Sequence, residues 1–253
     1  MALSLLERNA QAYGHNWRVL VSGFAEPVFY LFGLGVGLGS LVGDVTTDAG
    51  NTVSYATFIA PALLASSSMN GAIFDSTFNV FYKLKLSRLY ESVLATPLGP
   101  RAVAIGEIAT ALSRGAVYAV AFLLFLAVTG LLPSVWALLA LPAALLVGWA
   151  FASVGMAVTT YLRSWQDLDV LQAVTLPVFL FSATFYPAAT YPASLRWLLE
   201  VSPLYHGVVL VRSLCLGEVG DPLGLLAHAA VLVGLGVLGV AVTERRLRRR
   251  LLG

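Results

Sequence analysis

Charged residues are scarce in this sequence: Asp, Glu, Lys and Arg make up 11% of its 253 residues, whereas hydrophobic residues make up 58%. Soluble domains carry about 25% charged residues. A soluble protein of this size could not hide so much apolar surface, because its exterior must contact water. The composition therefore excludes an ordinary soluble domain. It predicts a single all-α integral membrane domain over residues 1–253.

Cysteine and histidine are also rare. The single cysteine, Cys215, excludes a disulfide within the chain and a zinc site built from cysteines. The three histidines, His15, His206 and His228, are far apart in sequence and show no metal-ligand spacing. We therefore predict no metal site.

A nucleotide-binding loop is missing from the sequence. Such a loop needs the pattern GxxxxGK followed by Ser or Thr, in which glycines let backbone N–H groups surround the phosphates. The two lysines, Lys83 and Lys85, follow no such pattern. We therefore predict no catalytic residue and no cofactor in this chain. We expect that the chain is not an enzyme. If its function is driven by ATP, the nucleotide site would lie on a separate polypeptide.

Six apolar segments are long enough to cross a membrane, since a core about 30 Å thick takes roughly 20 helical residues. They cover residues 19–42, 53–81, 102–132, 135–161, 168–186 and 223–243. Residues 1–18 place apolar residues at helical spacing among charged ones, which predicts an amphipathic helix at the membrane surface. Residues 187–216 are apolar but interrupted by prolines, which favours two short re-entrant outer helices before the last span.

Basic residues concentrate on one side of these spans. With the N-terminus inside, the inner segments hold 12 of the 15 Lys and Arg residues, Arg114 lies within the third span, and only Arg196 and Arg212 fall outside. Cytoplasmic loops are enriched in Lys and Arg. We therefore predict a multi-pass protein of a bacterial cytoplasmic (inner) membrane with both termini in the cytoplasm.

The inner segment between the second and third spans has a helical pattern. Leu86, Leu89 and Tyr90 recur at three- and four-residue spacing with charged residues between them, and Pro97 ends the pattern. This predicts a short amphipathic helix over about 83–96 whose charged face contacts a cytoplasmic partner or lipid head groups. A solvated basic loop is the alternative.

The same segment carries a family resemblance. Glu91-Ser-Val-Leu-Ala-Thr-Pro97, followed by Ile105-Gly-Glu107, resembles the E-x-x-x-x-T-P signature of ABC-2 type transporter permeases. The first span, from Asn16 to Gly39, is similar to the NodJ-like branch of that family, which is associated with export of lipo-oligosaccharides or drugs. The segment from Ser202 to Arg212 resembles the family's outer stretch before the last span. The resemblance covers nearly the whole chain in the family's order.

This resemblance implies the permease subunit of an ATP-driven exporter. Two six-span permeases, identical or related, would assemble in membrane lipid with two copies of an ABC ATP-binding subunit, and no nucleic acid is expected. The helix over 83–96 would be the coupling helix that contacts this subunit. The residues expected at that contact are Lys85, Arg88, Leu89, Tyr90 and Glu91.

Charged residues inside the spans are candidates for function, because a carboxylate near a helix centre costs about 2.5–3.5 kcal/mol and usually faces the bundle interior. Glu26 either binds a substrate head group or holds the first helix against a neighbour. Together with aromatic residues at the outer side, it gives a predicted substrate path of Glu26, Tyr30, Phe185 and Tyr186. For the outer aromatic residues, anchoring at the membrane interface is the alternative. Glu107 and Arg114 are interpreted as an interfacial or interhelix structural pair, and Asp75 as a helix-end acid.

Glycines are concentrated in the first span. Gly33, Gly35, Gly37 and Gly39 form two interleaved GxxxG pairs, and small residues four apart let helices approach closely. We predict that they pack this helix against a neighbour, at the seam of the dimer.

The predicted function is export of a lipid-linked or amphipathic substrate, either a glycolipid such as a lipo-oligosaccharide or a drug, because the path is mostly apolar with few polar groups. A proton-coupled secondary transporter is the alternative. It would need inverted repeats and charges paired across the bundle, and the two halves show no convincing repeat. A lipid-modifying enzyme would need a clustered catalytic set, and Asp167 and Asp169 lack companions at metal-ligand spacing.

Overall fold

The computed structural model describes residues 25–85 and 100–251, with side chains to Arg249, and these residues are mainly helical. The helices are α1 (Ala25–Val42), α2 (Tyr55–Lys85), α3 (Pro100–Val128), α4 (Ala140–Thr159), α5 (Gln166–Leu180), α6 (Arg196–Val201), α7 (Pro203–Leu216) and α8 (Pro222–Leu251). Short 3₁₀ turns cover Val135–Leu139, Ala188–Thr190 and Ala193–Leu195. The predicted surface helix over 1–18 and most of the predicted coupling helix over 83–96 lie outside the described residues.

Five of these helices are long and apolar enough to cross a membrane: α1, α2, α3, α4 with its preceding 3₁₀ turn, and α8. Residues 193–201 and α7 form a sixth candidate that is bent by 88°, either a broken span or a re-entrant loop. The two short helices expected within 187–216 are therefore present, and their position in the membrane stays a prediction. The chain is a multi-pass, all-α membrane protein.

The fifth predicted span is shorter than expected. Its helix, α5, has 15 residues and rises about 22 Å, less than a membrane core about 30 Å thick. It ends at Leu180 rather than at 186, because Phe181 leaves helical geometry with φ −99° and ψ 48°. The turn that follows is bonded to α7, where the guanidinium of Arg212 donates to the carbonyls of Ala183 and Thr184.

The chain forms a β-hairpin between α1 and α2 that the sequence analysis did not predict. Strands β1 (Asp44–Thr46) and β2 (Thr52–Ser54) pair antiparallel, with Val45 opposite Val53. We call this side of the bundle the hairpin end. The opposite side, where α2 ends at Lys85 and Arg101 lies in the first turn of α3, is the basic end.

The turn of the hairpin is bonded to two connections far away in sequence. The carboxylate of Asp48 accepts hydrogen bonds from the backbone N–H groups of Ala188 and Ala189, at 3.3 and 3.1 Å. The carboxylate of Glu218, which follows α7, accepts from the hydroxyl of Thr47 and, at 3.0 Å, from the side-chain amide of Asn51. These bonds hold the connections of the hairpin end together.

The buried core is centred on α4, which packs against α2, α3, α7 and α8. Small residues on α4, among them Ala140, Ala144 and Ala152, are completely buried. A Cβ placed on Gly239 of α8 would lie 2.6 Å from the backbone carbon of Ser153. The backbones of α4 and α8 therefore approach as closely as membrane helices do at small-residue contacts.

Two spans contain π-helical segments, Leu31–Val36 in α1 and Asp75–Asn79 in α2. A π-helix leaves backbone carbonyls without their usual α-helical partner. In α2 the Ser76 carbonyl accepts a hydrogen bond from the hydroxyl of Thr159 on α4, at 3.0 Å. Gly155 makes room for this contact, since a Cβ there would collide with the side chain of Ser76.

The four glycines of α1 differ in their surroundings. A Cβ on Gly35 would lie 3.3 Å from the Cβ of Ala56 on α2, so Gly35 packs against a neighbouring helix of this chain. A Cβ on Gly37 would meet only the backbone of its own π-helical turn, and one on Gly33 or Gly39 would meet nothing within 4 Å. A packing role for Gly33, Gly37 and Gly39 at a second chain stays a prediction.

Candidate functional site

A polar cavity of about 720 Å³ lies at the middle of the bundle, between α1, α2, α3 and α5. We call it the central cavity. Its polar wall includes Glu26, and Glu26 Oε1 accepts a hydrogen bond from Asn70 Nδ2 on α2 at 3.1 Å. This bond holds α1 against α2. The remaining polar lining residues are Asn79, Arg114, Tyr118, Gln172 and Thr175.

A second cavity of about 610 Å³ lies at the hairpin end. We call it the hairpin-end cavity. Its walls come from α1, the hairpin, the end of α5 and the turn after it, and they include Phe185 and Tyr186. Most of its other lining residues are apolar, such as Leu34, Leu38 and Leu180.

Aromatic rings connect the two cavities. Tyr30 and Phe179 line the central cavity, and their ring centroids are 6.1 Å apart. The ring of Phe179 lies 5.1 Å from that of Phe185, which lies 6.3 Å from that of Tyr186. We call Tyr30, Phe179, Phe185 and Tyr186 the aromatic row. The row runs from the central cavity, lined by Tyr30 and Phe179, to the hairpin-end cavity, lined by Phe185 and Tyr186.

The structure thus brings together the predicted path residues: Glu26 and Tyr30 at one cavity, Phe185 and Tyr186 at the other. Their role in transport stays a prediction. Sequence reasoning missed Asn70 and the face of α5 that completes the central cavity. That face consists of Gln172, Thr175, Leu176 and Phe179, whose spacing of three, one and three residues is a helical signal that was available.

Two buried ion pairs connect α2 and α3 beside the central cavity. Arg114 Nη1 lies 2.9 Å from Asp75 Oδ1, and the side chains of the two are 13% and 8% exposed. Lys83 Nζ lies 2.7 Å from Glu107 Oε2. Asn79 Nδ2 also donates to Asp75 Oδ1, at 2.8 Å.

These pairs agree with one interpretation and correct another. Glu107 and Arg114 each pair with a residue of α2 rather than with one another, so the expected structural contact is between helices. Asp75 is not a solvated acid at a helix end, because it is buried against Arg114 and lies in the π-helical segment of α2. Charges paired across the bundle are also the feature that a proton-coupled transporter would need.

The residues predicted to contact an ATP-binding subunit are only partly within the structure. Lys85 is exposed at the end of α2, where the chain leaves the bundle at the basic end. Arg88, Leu89, Tyr90 and Glu91 lie outside the described residues. Their role stays a prediction.

The chain is similar to known proteins along almost its whole length. Residues 2–216 match the family model described as ABC-2 type transporter. Nodulation protein J of Rhizobium leguminosarum bv. viciae is 32% identical over 235 residues, which cover 92% of this chain and 88% of that protein. Nodulation protein J of Rhizobium meliloti is 30% identical over 234 residues, with 92% and 87% covered. That of Azorhizobium caulinodans is 26% identical over 246 residues, with 94% and 95% covered.

Proposed function

Because this chain belongs to the ABC-2 type transporter family, as one of its membrane permeases, we propose that it exports a lipid-linked or amphipathic molecule across the bacterial cytoplasmic membrane. The observation that carries this proposal is the aromatic row, which joins a polar cavity at mid-bundle to an apolar cavity at the hairpin end. A polar head group fits the carboxylate and amides around Glu26, while an apolar chain fits the rings. A glycolipid such as a lipo-oligosaccharide combines both, and an amphipathic drug does so at smaller size.

The energy for transport would come from a separate ABC ATP-binding subunit in two copies, which bind ATP and Mg. The basic end would face the cytoplasm, because Lys83, Lys85, Arg101 and the Arg-rich end of α8 lie there. The predicted coupling helix over 83–96 begins at this end, where such a subunit would bind. Both termini would be cytoplasmic.

A second permease chain would complete the path. Glu26 and Tyr30 on α1, and Gln172 and Leu176 on α5, line the central cavity and are nevertheless exposed. The cavity is therefore open at its side between these two helices. A second copy, or a related permease, would close this opening against lipid.

We expect Glu91→Lys to abolish substrate-stimulated ATP hydrolysis while the chain still inserts into the membrane, because it reverses a charge on the predicted coupling helix. The tagged chain would be purified in mild detergent from its native host, the co-purifying subunit identified, and ATP hydrolysis measured. Glu200→Lys is the matched control, since it reverses an exposed acid at the end of α6. Equal ATPase stimulation in wild type and Glu91→Lys would remove the coupling role.

Removing a ring from the aromatic row should slow transport. Tyr30→Ala is expected to lower the export rate of a fluorescent glycolipid from proteoliposomes about tenfold, which corresponds to about 1.4 kcal/mol of lost ring contact. Phe29→Ala is the control, because Phe29 is the preceding residue of α1, is 74% exposed and lines neither cavity. Equal losses in both variants would show that the row does not carry the substrate.

The buried ion pairs favour one alternative function, proton-coupled transport, because they pair charges across the bundle. Purification of the tagged chain in mild detergent, described above for Glu91→Lys, distinguishes the ATP-driven exporter from the proton-coupled transporter. A chain that purifies alone, without ATPase activity, and shows proton-linked uptake in vesicles would support this alternative.

A further inference from the structure

Arg212 is a buried cation whose partners are backbone carbonyls. It lies on α7 and is 5% exposed. Its Nε donates to the carbonyl of Phe58 on α2 at 3.2 Å, and its Nη2 donates to the carbonyls of Ala183 and Thr184 at 2.8 and 3.2 Å. The guanidinium also lies over the Phe58 ring, 3.9 Å from its centroid. One side chain therefore joins α2, α7 and the residues that follow α5.

The segment that Arg212 binds is a tight turn, residues 181–184, which we call the α5 turn. Ser182, Ala183 and Thr184 are almost completely buried. Ala183 has φ +53°, a left-handed conformation that is unfavourable for residues with a Cβ. The surrounding structure must therefore hold this turn, since its own sequence does not favour it.

Two further contacts support the α5 turn. The hydroxyls of Ser182 and Ser202 lie 2.7 Å apart, which joins the turn to the start of α7. The Thr184 hydroxyl donates to the carbonyl of Phe179 at 3.2 Å. Among these contacts only the guanidinium of Arg212 reaches both the turn and α2.

We propose that Arg212 is a positioning residue for the substrate path: by holding the α5 turn, it fixes Phe185 and Tyr186 in the wall of the hairpin-end cavity. These two residues follow the turn directly and form the last part of the aromatic row. The role of Arg212 in transport rests on the proposed function, whereas its hold on the turn does not. Arginine is required because its planar group reaches three carbonyls at once, whereas the single ammonium of lysine cannot reproduce that geometry.

The test measures how accessible position 186 is. Tyr186 is 55% exposed, so in a Cys215→Ala background a Tyr186→Cys substitution gives one thiol for labelling by a membrane-impermeant maleimide. The full-length chain, with whatever subunit co-purifies, would be labelled in lipid nanodiscs. We expect Arg212→Lys and Arg212→Leu to change the labelling rate at least fivefold. Val208→Ala, which removes fully buried atoms one turn away on α7, should leave the rate within twofold of the parent.

A second variant tests the mechanism directly. Glycine adopts a positive φ without strain, so Ala183→Gly should restore the parental labelling rate in the Arg212→Lys background. Failure of this rescue would overturn the claim that the turn is what Arg212 holds.

The labelling rate does not depend on transport, so the two proposals can fail separately. An unchanged rate in a correctly inserted Arg212→Lys chain would overturn the positioning role even if export is confirmed. A changed and rescued rate, with no export of glycolipid by the parent, would sustain the positioning role and reject the proposed function.

Discussion

Asp75→Leu is expected to lower the free energy of unfolding by about 3–5 kcal/mol, because it leaves the guanidinium of Arg114 buried without its carboxylate. Arginine keeps its charge, so it cannot relieve this cost by losing a proton. The measurement is unfolding of the purified full-length chain in mixed micelles, followed by tryptophan fluorescence.

The double variant Asp75→Leu with Arg114→Leu should recover most of that loss. Replacing both partners of a buried ion pair by apolar residues is often close to neutral, since neither charge then has to be desolvated. A double variant as unstable as Asp75→Leu alone would show that the cost comes from packing around residue 75 and not from the lost ion pair.

Arg101→Leu provides the exposed comparison. Arg101 Nε lies 3.9 Å from Glu244 Oε2, and the two side chains are 72% and 43% exposed. Water and salt screen such a pair, so its loss should change the free energy of unfolding by about 0–1 kcal/mol. Equal losses for Asp75→Leu and Arg101→Leu would contradict the importance of burial.

Gly239→Leu is expected to destabilise the protein strongly, because the added side chain would push α8 away from α4. A Cβ at this position would lie 2.6 to 2.8 Å from backbone atoms of Ser153 and Val154, and a backbone cannot move aside as a flexible side chain can. Overpacking of this kind costs about 1–3 kcal/mol, and more where the backbone resists. The measurement is the yield and unfolding midpoint of the detergent-purified chain.

The matched control lies on the same helix. Gly234 is exposed, and a Cβ there would meet no atom within 4 Å, so Gly234→Leu should leave both quantities close to those of the wild type. Loss of stability in Gly234→Leu as well would indicate that position 234 contacts another chain in the purified complex.

The long helices could be predicted because their hydrophobic length determines them. The spans expected over 53–81 and 102–132 correspond to α2 and α3 with shifts of a few residues. The end of α5 could not be predicted. Residues 181–186 are as apolar as the helix before them. The residue that holds the turn, Arg212, lies 29 and 28 positions after Ala183 and Thr184, whose carbonyls it binds.

The residue types of the candidate site could be predicted from the sequence, but the contacts between its residues could not. Glu26, Tyr30, Phe185 and Tyr186 were expected from polar or aromatic character alone, and each lines a cavity. Phe179 was missed, although it joins the two halves of the aromatic row, because the sequence analysis did not use the helical spacing that places it on one face with Gln172 and Thr175.

The order of charged residues along α2 and α3 is a sequence pattern that could have predicted the two ion pairs. On α2 an acid, Asp75, precedes a base, Lys83, by eight residues, and on α3 Glu107 precedes Arg114 by seven. Two antiparallel helices with this order and spacing place each acid opposite a base. Pairing between α2 and α3 could have been inferred from that order, but which face of each helix meets the other depends on packing.

The bonded turn of the hairpin has a consequence for chimaeric permeases. Asp48 binds backbone groups 140 and 141 residues away, and Thr47 binds Glu218, 171 residues away. Exchanging the hairpin alone with that of a relative would combine a foreign turn with connections shaped for the original one. Residues 44–54, the connection around 188 and Glu218 therefore form one unit of exchange, although the chain encodes them in three separate places.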